Sequence, residues 1–178
     1  MPAWFRIAVF GAVLTAVSGA EPSAQQTELM SRSTDGVPAE GQSGEPSVTA
    51  DGRFVAFSSV AENLVEGDDN GVEDVFVHDR LTGVTVLVSR RGNGDTGTLP
   101  SRNPSISADG RFVVFESEAT ELVPNMDENE TTDVFLHDRD LDGNGVFDDY
   151  LENETVATAL ISTGAGVGPS ADGPSMNP

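Results

Sequence analysis

The sequence predicts an all-β protein built from two copies of one four-stranded antiparallel unit, with partial strands beside them. The first observation is a repeat: PSVTADGRFVAFSS begins at Pro46, and PSISADGRFVVFES begins at Pro104, 58 residues further along the chain. The second is that the Phe and Val residues of each copy favour pleated strands, while amphipathic stretches of helical length are absent beyond the N-terminus. Such a repeat indicates an architecture of stacked units.

Each copy predicts four strands, of which the first is short. A Pro-Ser strand turns through Ala-Asp-Gly into a Phe- and Val-rich strand, which is the signature of a β-hairpin. The third strand is predicted from DVFVHDR at residues 74–80 and DVFLHDR at residues 133–139. The fourth is predicted from GVTVLVS at residues 83–89 and, less regularly, TVATALIS at residues 155–162. Residues 46–89 and 104–162 are therefore predicted to be equivalent units.

The predicted strands are apolar on both faces. Alternation places Phe54 and Ala56 on one face and Val55 and Phe57 on the other, so each sheet needs a neighbour on both sides. Four antiparallel strands per repeat, covered by neighbouring repeats, describe a β-propeller blade. The pattern P-S-x-[ST]-A-D-G-R-F-V-x-F-x-S, followed by D-V-F-[VL]-H-D-R, resembles the WD40-like (PD40) repeats of TolB-type bacterial propellers. That resemblance implies partners in the cell envelope.

The N-terminus has the pattern of an export signal. Arg6 precedes the apolar run IAVFGAVLTAV at residues 7–17, and small residues follow it up to Ala20. This pattern predicts a helical signal peptide at residues 1–20 and a flexible linker at residues 21–28. A membrane anchor is the alternative, but the run is shorter than the roughly 20 residues that a bilayer span needs. We therefore expect a secreted or periplasmic protein with no membrane insertion after cleavage.

Residues 29–178 are predicted to form only part of a propeller. The segment TELMSR at residues 27–32 matches TVLVSR at residues 85–90, so residues 29–32 are expected to form the outermost strand of a further, incomplete blade. Two blades cannot close a ring of roughly four to eight. The sequence is therefore expected to be part of a longer propeller or to assemble with other chains, and self-association through the open blades is one expectation.

The charge of the chain narrows its partners. There are 30 Asp and Glu residues against 9 Lys and Arg residues, which gives a formal net charge of −21. Such a surface repels nucleic-acid backbones and anionic lipid headgroups. We therefore expect no nucleic-acid partner, and cations are the natural small ligands.

The sharpest local motif predicts a calcium site in the second unit. Residues 140–149, DLDGNGVFDD, follow the pattern D-x-[DN]-x-[DN]-G, in which oxygens at alternate positions converge on a cation. The motif resembles calcium loops of the EF-hand and dockerin type, although Leu151 replaces their bidentate Glu. A weak site, with a dissociation constant on the order of 10⁻⁴–10⁻³ M, is expected. An acidic turn is the alternative. The predicted ligands are Asp140, Asp142, Asn144, the carbonyl of Val146, and Asp148.

A weaker acidic pattern recurs in both units. An Asp, an Asn two positions later and an Asp at the start of the third strand occur in residues 68–74 and again in residues 127–133. Alternate oxygens in a turn can bind a cation, but Asp and Asn also cap turns through their own backbones. Both alternatives stay open for Asp68, Asn70, Asp74, Asp127, Asn129 and Asp133.

The sequence favours a binding module over an enzyme. It has no cysteine and no G-x-S-x-G motif, and its two histidines, His78 and His137, occupy equivalent repeat positions, which indicates scaffold roles. We expect an exported, non-enzymatic structural or protein-binding module that binds Ca²⁺ and has partners in the cell envelope or extracellular space. The alternative is the propeller portion of a secreted, peptidase-like hydrolase whose catalytic part lies outside these residues.

Overall fold

The chain folds into two antiparallel sheets of four strands each. The computed structural model describes residues 26–123, 131–148 and 158–162. The first sheet has the order β1-β2-β3-β4 and contains β1 Ser43–Val48, β2 Phe54–Ser59, β3 Asp74–Asp79 and β4 Thr85–Leu87. The second sheet has the order β5-β6-β7-β8 and contains β5 Ser101–Ile106, β6 Phe112–Ser117, β7 Asp133–Asp138 and β8 Thr158–Leu160. The predicted all-β fold of two four-stranded antiparallel units is confirmed.

The first strand of each sheet begins earlier than the repeat predicts, and the prediction that it is short is wrong: β1 and β5 have six residues each, whereas β4 and β8 have three. β1 begins at Ser43 and β5 at Ser101, three residues before the Pro-Ser pair in each case. The pairing of β1 with β2 shifts register between Gly44 and Ser47, and the pairing of β5 with β6 shifts at the equivalent place. Glu45, inside this bulge, has a φ of 52°. Because the proline that follows has no N–H to donate, a bulge accommodates it within the strand.

The two sheets stack face against face. We call the face that a sheet turns toward higher residue numbers its forward face and the opposite one its back face. In the first sheet the forward face carries Phe54, Ala56, Val75 and Val77. In the second sheet the back face carries Val113, Phe115, Phe135 and Leu160. These two faces form one continuous buried core, so the hydrophobic effect joins the two repeats as well as folding each one.

The back face of the first sheet is covered by residues of its own repeat. Phe57 and Phe76 stack on it with ring centroids 5.8 Å apart. Ala61 and Leu64, from the connection that follows β2, complete a second, smaller core with them. The second sheet is built in the same way: the rings of Phe115 and Phe135 stack at 5.8 Å. The 3₁₀ turn Thr120–Leu122 follows β6 and buries Leu122.

The N-terminal part of the prediction is only partly covered by the structure. The predicted signal helix at residues 1–20 lies outside the described residues, as does the linker up to residue 25. Residues 26–31 do not form the predicted outer strand, and Arg32 makes an isolated bridge to Pro38. The Arg32 carbonyl instead accepts a hydrogen bond from Thr85 Oγ1 (2.5 Å). Among the residues that the structure describes, no helix is long and apolar enough for a membrane span.

Candidate functional site

The joint between the two sheets is held by polar contacts as well as by its apolar core. We use the word joint for the contact of the forward face of the first sheet with the β5–β6 hairpin and back face of the second. Hydrogen bonds cross it from the Ala50 N–H to the Ala108 carbonyl (3.3 Å), from the Ile106 N–H to Ser47 Oγ (3.1 Å), from the Ser101 N–H to the Glu73 carbonyl (2.7 Å) and from the Asn103 N–H to Glu45 Oε2 (2.6 Å). The β5 strand therefore lies in a fixed register across the first sheet.

Phe54 is the centre of the joint at the hairpin end. The Arg139 guanidinium lies over its ring, 4.4 Å from the centroid, and the Phe147 ring lies 5.4 Å away. Gly110 packs so closely on the ring that a Cβ there would stand 2.6 Å from Phe54 Cδ2. Arg139 also donates to the Gly110 carbonyl (2.8 Å) and pairs with Asp148 through Nη2 (2.5 Å). Because the Arg139 side chain is only 2% exposed, this ion pair belongs to the interior of the joint.

A cleft of about 530 Å³ opens beside Phe54 between the two sheets. Its wall includes the ion pair of Arg53 with Asp79, in which two guanidinium nitrogens contact the two carboxylate oxygens at 3.1 and 2.8 Å. Burial acts to raise the pKa of Asp79, but hydrogen bonds from Arg53 and from the Leu81 N–H overcome it and lower that pKa to about 2. Because Arg53 and Arg139 are both paired with carboxylates, the cleft presents apolar surface rather than unpaired positive charge.

The forward face of the second sheet is an apolar surface that the described residues cover only in part. Along β6 and β7 every second residue is only half-buried, while the residues between them are buried or nearly so. The Arg111 guanidinium lies over the Phe112 ring at 4.9 Å and pairs with Asp138 at 2.7 Å. No other described residue forms a core against this face. Its half-buried apolar residues are Phe112, Val114, Val134 and Leu136.

At the opposite end of the stack, the β1–β2 hairpin exposes residues that correspond to buried residues of the β5–β6 hairpin in the joint. Val48 of β1 is 58% exposed, whereas Ile106, its equivalent in β5, is 9% exposed because the first sheet covers it. Gly52 turns the β1–β2 hairpin as Gly110 turns the β5–β6 hairpin. Arg80 donates to the Gly52 carbonyl at 2.7 Å, as Arg139 donates to Gly110. The residues at the hairpin end of the joint therefore occur a second time in the β1–β2 hairpin, where no second sheet of the described residues covers them.

The loop predicted to bind calcium is closed by its own hydrogen bonds. The Gly145 N–H donates to both carboxylate oxygens of Asp140 (3.1 and 3.2 Å). Asp142 Oδ1 accepts from the Asn144 N–H (3.1 Å), and the Val146 N–H donates to Asn144 Oδ1 (2.5 Å). Asp148, the predicted ninth-position ligand, is the ion-pair partner of Arg139. Within the described ranges, no group of three or more His, Cys, Asp or Glu side chains is close enough to hold a metal ion.

The weaker acidic pattern of the first repeat forms a buried turn. Asn70 donates to Asp74 Oδ2 (2.6 Å) and to the Gly97 carbonyl (2.9 Å), so it ties this turn to the segment that enters the second sheet. Asp68 is 6% exposed, and its Oδ1 accepts no hydrogen bond from any described residue. Burial, together with the charges of Asp74 and Glu62, raises the pKa of Asp68 to about 6. Burial also raises the pKa of Asp74 to about 6.

The corresponding pattern of the second repeat is described only at its end. Asp127 and Asn129 lie outside the described residues. Asp133 is 4% exposed and accepts a hydrogen bond from Ser162, whereas its Oδ2 is buried without a hydrogen-bond partner among the described residues. Ser162 Oγ also accepts from the Val134 N–H (3.1 Å). This arrangement repeats the contacts of Ser89 with Asp74 and Val75 in the first sheet, so both aspartates fasten the third strand to the residues that follow the fourth.

The two histidines are buried at equivalent positions of β3 and β7. The nitrogen His78 Nδ1 lies 2.8 Å from Thr85 Oγ1, and His137 Nδ1 lies 2.9 Å from Thr158 Oγ1. Since Thr85 Oγ1 donates its proton to a backbone carbonyl, His78 Nδ1 is the donor and its Nε2 accepts from Arg32. Burial lowers the pKa of both rings, that of His137 to about 3. Both are therefore neutral at physiological pH.

The strongest features of the joint were not predicted from the sequence. The prediction named Asp148 but not its partner Arg139, and it assigned Gly110 only a turn role. One signal was available: D-V-F-[VL]-H-D-R places an arginine at the same position of both repeats, and D-G-R-F places a Phe two residues after each glycine. A residue that recurs beside a glycine turn in stacked repeats is a candidate for the contact between them.

Comparisons with solved structures gave weak similarity to propeller-containing proteins. TolB from Acinetobacter baumannii matches with a TM-score of 0.32 and 17% identity over 55% of this chain and 19% of the other. The tricorn protease matches with a TM-score of 0.38 and 13% identity over 67% of this chain and 13% of the other. The chain thus corresponds to less than a fifth of the length of either protein. No protein-family profile and no curated protein matches the sequence.

Proposed function

We propose that the chain is an exported, non-enzymatic propeller segment that serves as a structural or protein-binding module and binds protein through the forward face of its second sheet. One observation carries this proposal: Phe112, Val114, Val134 and Leu136 form a half-buried apolar face whose equivalent in the first sheet is fully packed. Apolar surface arranged in one patch marks an interaction site. The signal-like residues 1–20 support export.

The polar groups of the fold also support a binding module over an enzyme. Each of the two neutral histidines is buried and hydrogen-bonds to a threonine of the neighbouring strand in its own sheet. The arginines of the cleft are paired with carboxylates. A general base needs a free lone pair within reach of a substrate proton, and the described residues of the cleft do not offer a histidine for that role.

Calcium binding by residues 140–148 is part of the proposal. Asp140, which is buried, and Asp142 and Asn144, which are exposed, bring oxygens to alternate positions of one loop. This is an arrangement typical of calcium loops. Their present hydrogen bonds are to N–H groups of the loop, and each carboxylate retains further lone pairs. Asp148 would have to leave Arg139 to become a ligand. The support for calcium is therefore the donor set of the loop, without Asp148 as a required member.

The experiment that tests the proposed function compares two immobilised proteins in an envelope extract. The parent chain and the variant Leu136→Asp are each incubated with the extract, with calcium and with chelator, after far-UV circular dichroism shows that both are folded. We expect the parent to retain proteins that the variant does not. Retention of nothing by the parent under either condition, or of the same proteins by both chains, would refute the binding of envelope proteins through this face.

A further inference from the structure

The two ends of the sheet stack are chemically complementary to each other. The forward face of the second sheet repeats the forward face of the first, and the outer side of β1 with its hairpin repeats the side of β5 that is buried in the joint. The fold therefore contains one completed joint, and each end of the stack carries residues that correspond to part of one side of it. We call the forward face of the second sheet the acceptor half and the exposed side of the β1–β2 hairpin the donor half.

We propose that a second copy of this chain docks head to tail, its donor half packing on the acceptor half of the first copy as β5–β6 packs on the first sheet. The inference rests on the proposed function and names the partner of the same face. The contact is heterologous, because different surfaces of the two copies meet. Repetition of such a contact gives a closed ring if the rotation closes and a filament if it does not.

The internal joint indicates which apolar residues would meet in the docking contact. Ile106 is 9% exposed where it lies on the first sheet, and Val48, at 58% exposed, occupies the same position of the donor half. The acceptor half presents Val114 and Leu136 where the first sheet presents Ala56 and Val77. The residues that would meet are therefore apolar on both sides, which is the condition for a stable buried contact.

The hairpin end of the contact is preserved in more detail. Gly52, with a φ of 73°, has no atom nearer to an added Cβ than Arg80 Nη1 at 3.5 Å, so the space that Phe54 fills above Gly110 is empty above Gly52. Phe112 of another copy fits that space. Arg80 already donates to the Gly52 carbonyl (2.7 Å). It is thereby placed to lie over Phe112 as Arg139 lies over Phe54.

The polar contacts of the joint are also available for docking. In the internal joint the Ala50 N–H donates to the Ala108 carbonyl, and the Ile106 N–H donates to Ser47 Oγ. Docking reproduces the first with the Ala108 N–H of one copy and the Ala50 carbonyl of the other. It reproduces the second with the N–H of Val48 and the hydroxyl of Ser105. Both pairs keep the same chemical groups, since serine and alanine recur at these positions.

One segment must move for this contact to form. Residues 27–32 match residues 85–90 of the repeat, and Glu28 contacts Arg80 at the hairpin end of the donor half. By this equivalence the segment stands where β8 of the other copy would lie. It contains no strand. Glu28 holds its first part through exposed ion pairs with Arg32 (2.8 Å) and Arg80 (3.2 Å), and the Ser31 carbonyl accepts one hydrogen bond from the Ala39 N–H (2.9 Å). Exposed pairs of this kind contribute little, so the segment can be displaced, which also releases Arg80 for Phe112.

The test measures the mass of the purified chain and of three variants by light scattering. The variants are Val48→Asp in the donor half, Leu136→Asp in the acceptor half, and Val60→Asp, an exposed valine that belongs to neither half. We expect the parent and Val60→Asp to form assemblies. The other two variants should associate roughly 100-fold more weakly, because each buries a carboxylate without a partner. Added NaCl should strengthen the parent assembly by screening the charge of −21.

Mixing the two variants gives the decisive result. Val48→Asp retains an intact acceptor half and Leu136→Asp an intact donor half, so their mixture should form a dimer with one joint and nothing larger. A contact between identical surfaces would not be restored by mixing. A mixture that associates no better than each variant alone therefore overturns the proposal. A parent that stays monomeric at every concentration overturns the proposal as well.

A second measurement uses variants that do not place a charge in the contact. The chain has no cysteine, so Val48→Cys and Leu136→Cys each introduce a single thiol. A short bismaleimide should join the two variants when they are mixed and should join neither to itself; self-linking of either alone refutes the head-to-tail arrangement. If the parent is monomeric but retains envelope proteins that Leu136→Asp does not retain, docking of a second copy is refuted and the proposed function is supported. Assembly of the purified chain without retention of any envelope protein supports the second copy as its partner.

Discussion

Gly110 tests the packing of the joint most directly. The substitution Gly110→Ala places a Cβ 2.6 Å from Phe54 Cδ2 and 3.0 Å from Phe54 Cε2, at a φ of 85° that alanine rarely adopts. The left-handed backbone costs about 1 kcal/mol, and the overpacking about 1–3 kcal/mol. Together they predict a loss of about 2–4 kcal/mol in the free energy of unfolding. The matched control is Gly52→Ala, with a φ of 73° and no contact shorter than 3.5 Å, for which about 1 kcal/mol is expected.

The assay is equilibrium urea unfolding, followed by far-UV circular dichroism because the single Trp lies within residues 1–20. All variants carry Leu136→Asp, so that association does not mask the difference. Replacing Phe54 with Leu should reduce the penalty of Gly110→Ala and leave that of Gly52→Ala unchanged, as a double-mutant cycle measures. Equal losses for the two glycines, or a penalty at Gly110 that ignores Phe54, would show that the joint is not packed as described.

Three further predictions concern the charged groups. Millimolar calcium should raise the melting temperature, with a stabilisation of about 1.4 kcal/mol at ten times the dissociation constant; Asp142→Ala should abolish the shift, and equal ionic strength of NaCl should not reproduce it. The pKa of Asp68 is raised from 3.8 to about 6, so its contribution to stability falls as pH rises through that window. Asp68→Asn should therefore raise the urea midpoint at neutral pH and not at about pH 4, while the same change at exposed Asp69 should do neither. Arg139→Met should cost about 3 kcal/mol or more because it removes the buried cation that pairs with the Asp148 carboxylate, whose side chain is 11% exposed; Arg80→Met, at a side chain 45% exposed, should cost less than about 1 kcal/mol. Urea unfolding of the two arginine variants gives this comparison directly, and equal costs would contradict it.

Parts of the candidate site could be inferred from the repeat and parts could not. The equivalence of His78 and His137 followed from spacing alone, because a residue at the same strand position of two copies has the same neighbours within its sheet. The partner of Asp148 did not follow, since Arg139 reaches it only when the loop folds back over Phe54. Contacts made across a joint depend on how two sheets stack, which periodicity within one sheet does not encode.

The sequence by itself determined the two four-stranded sheets, their antiparallel order and the apolar character of both faces, because strand propensity, alternation and turn residues act over a few neighbouring positions. The tertiary structure decided which copy of each repeated residue is buried. Val48 and Ile106 have nearly the same local sequence, yet one is 58% exposed and the other 9%. Local chemistry is the same in both copies, but burial requires a second sheet on that side, and only the stacking of the two repeats supplies one.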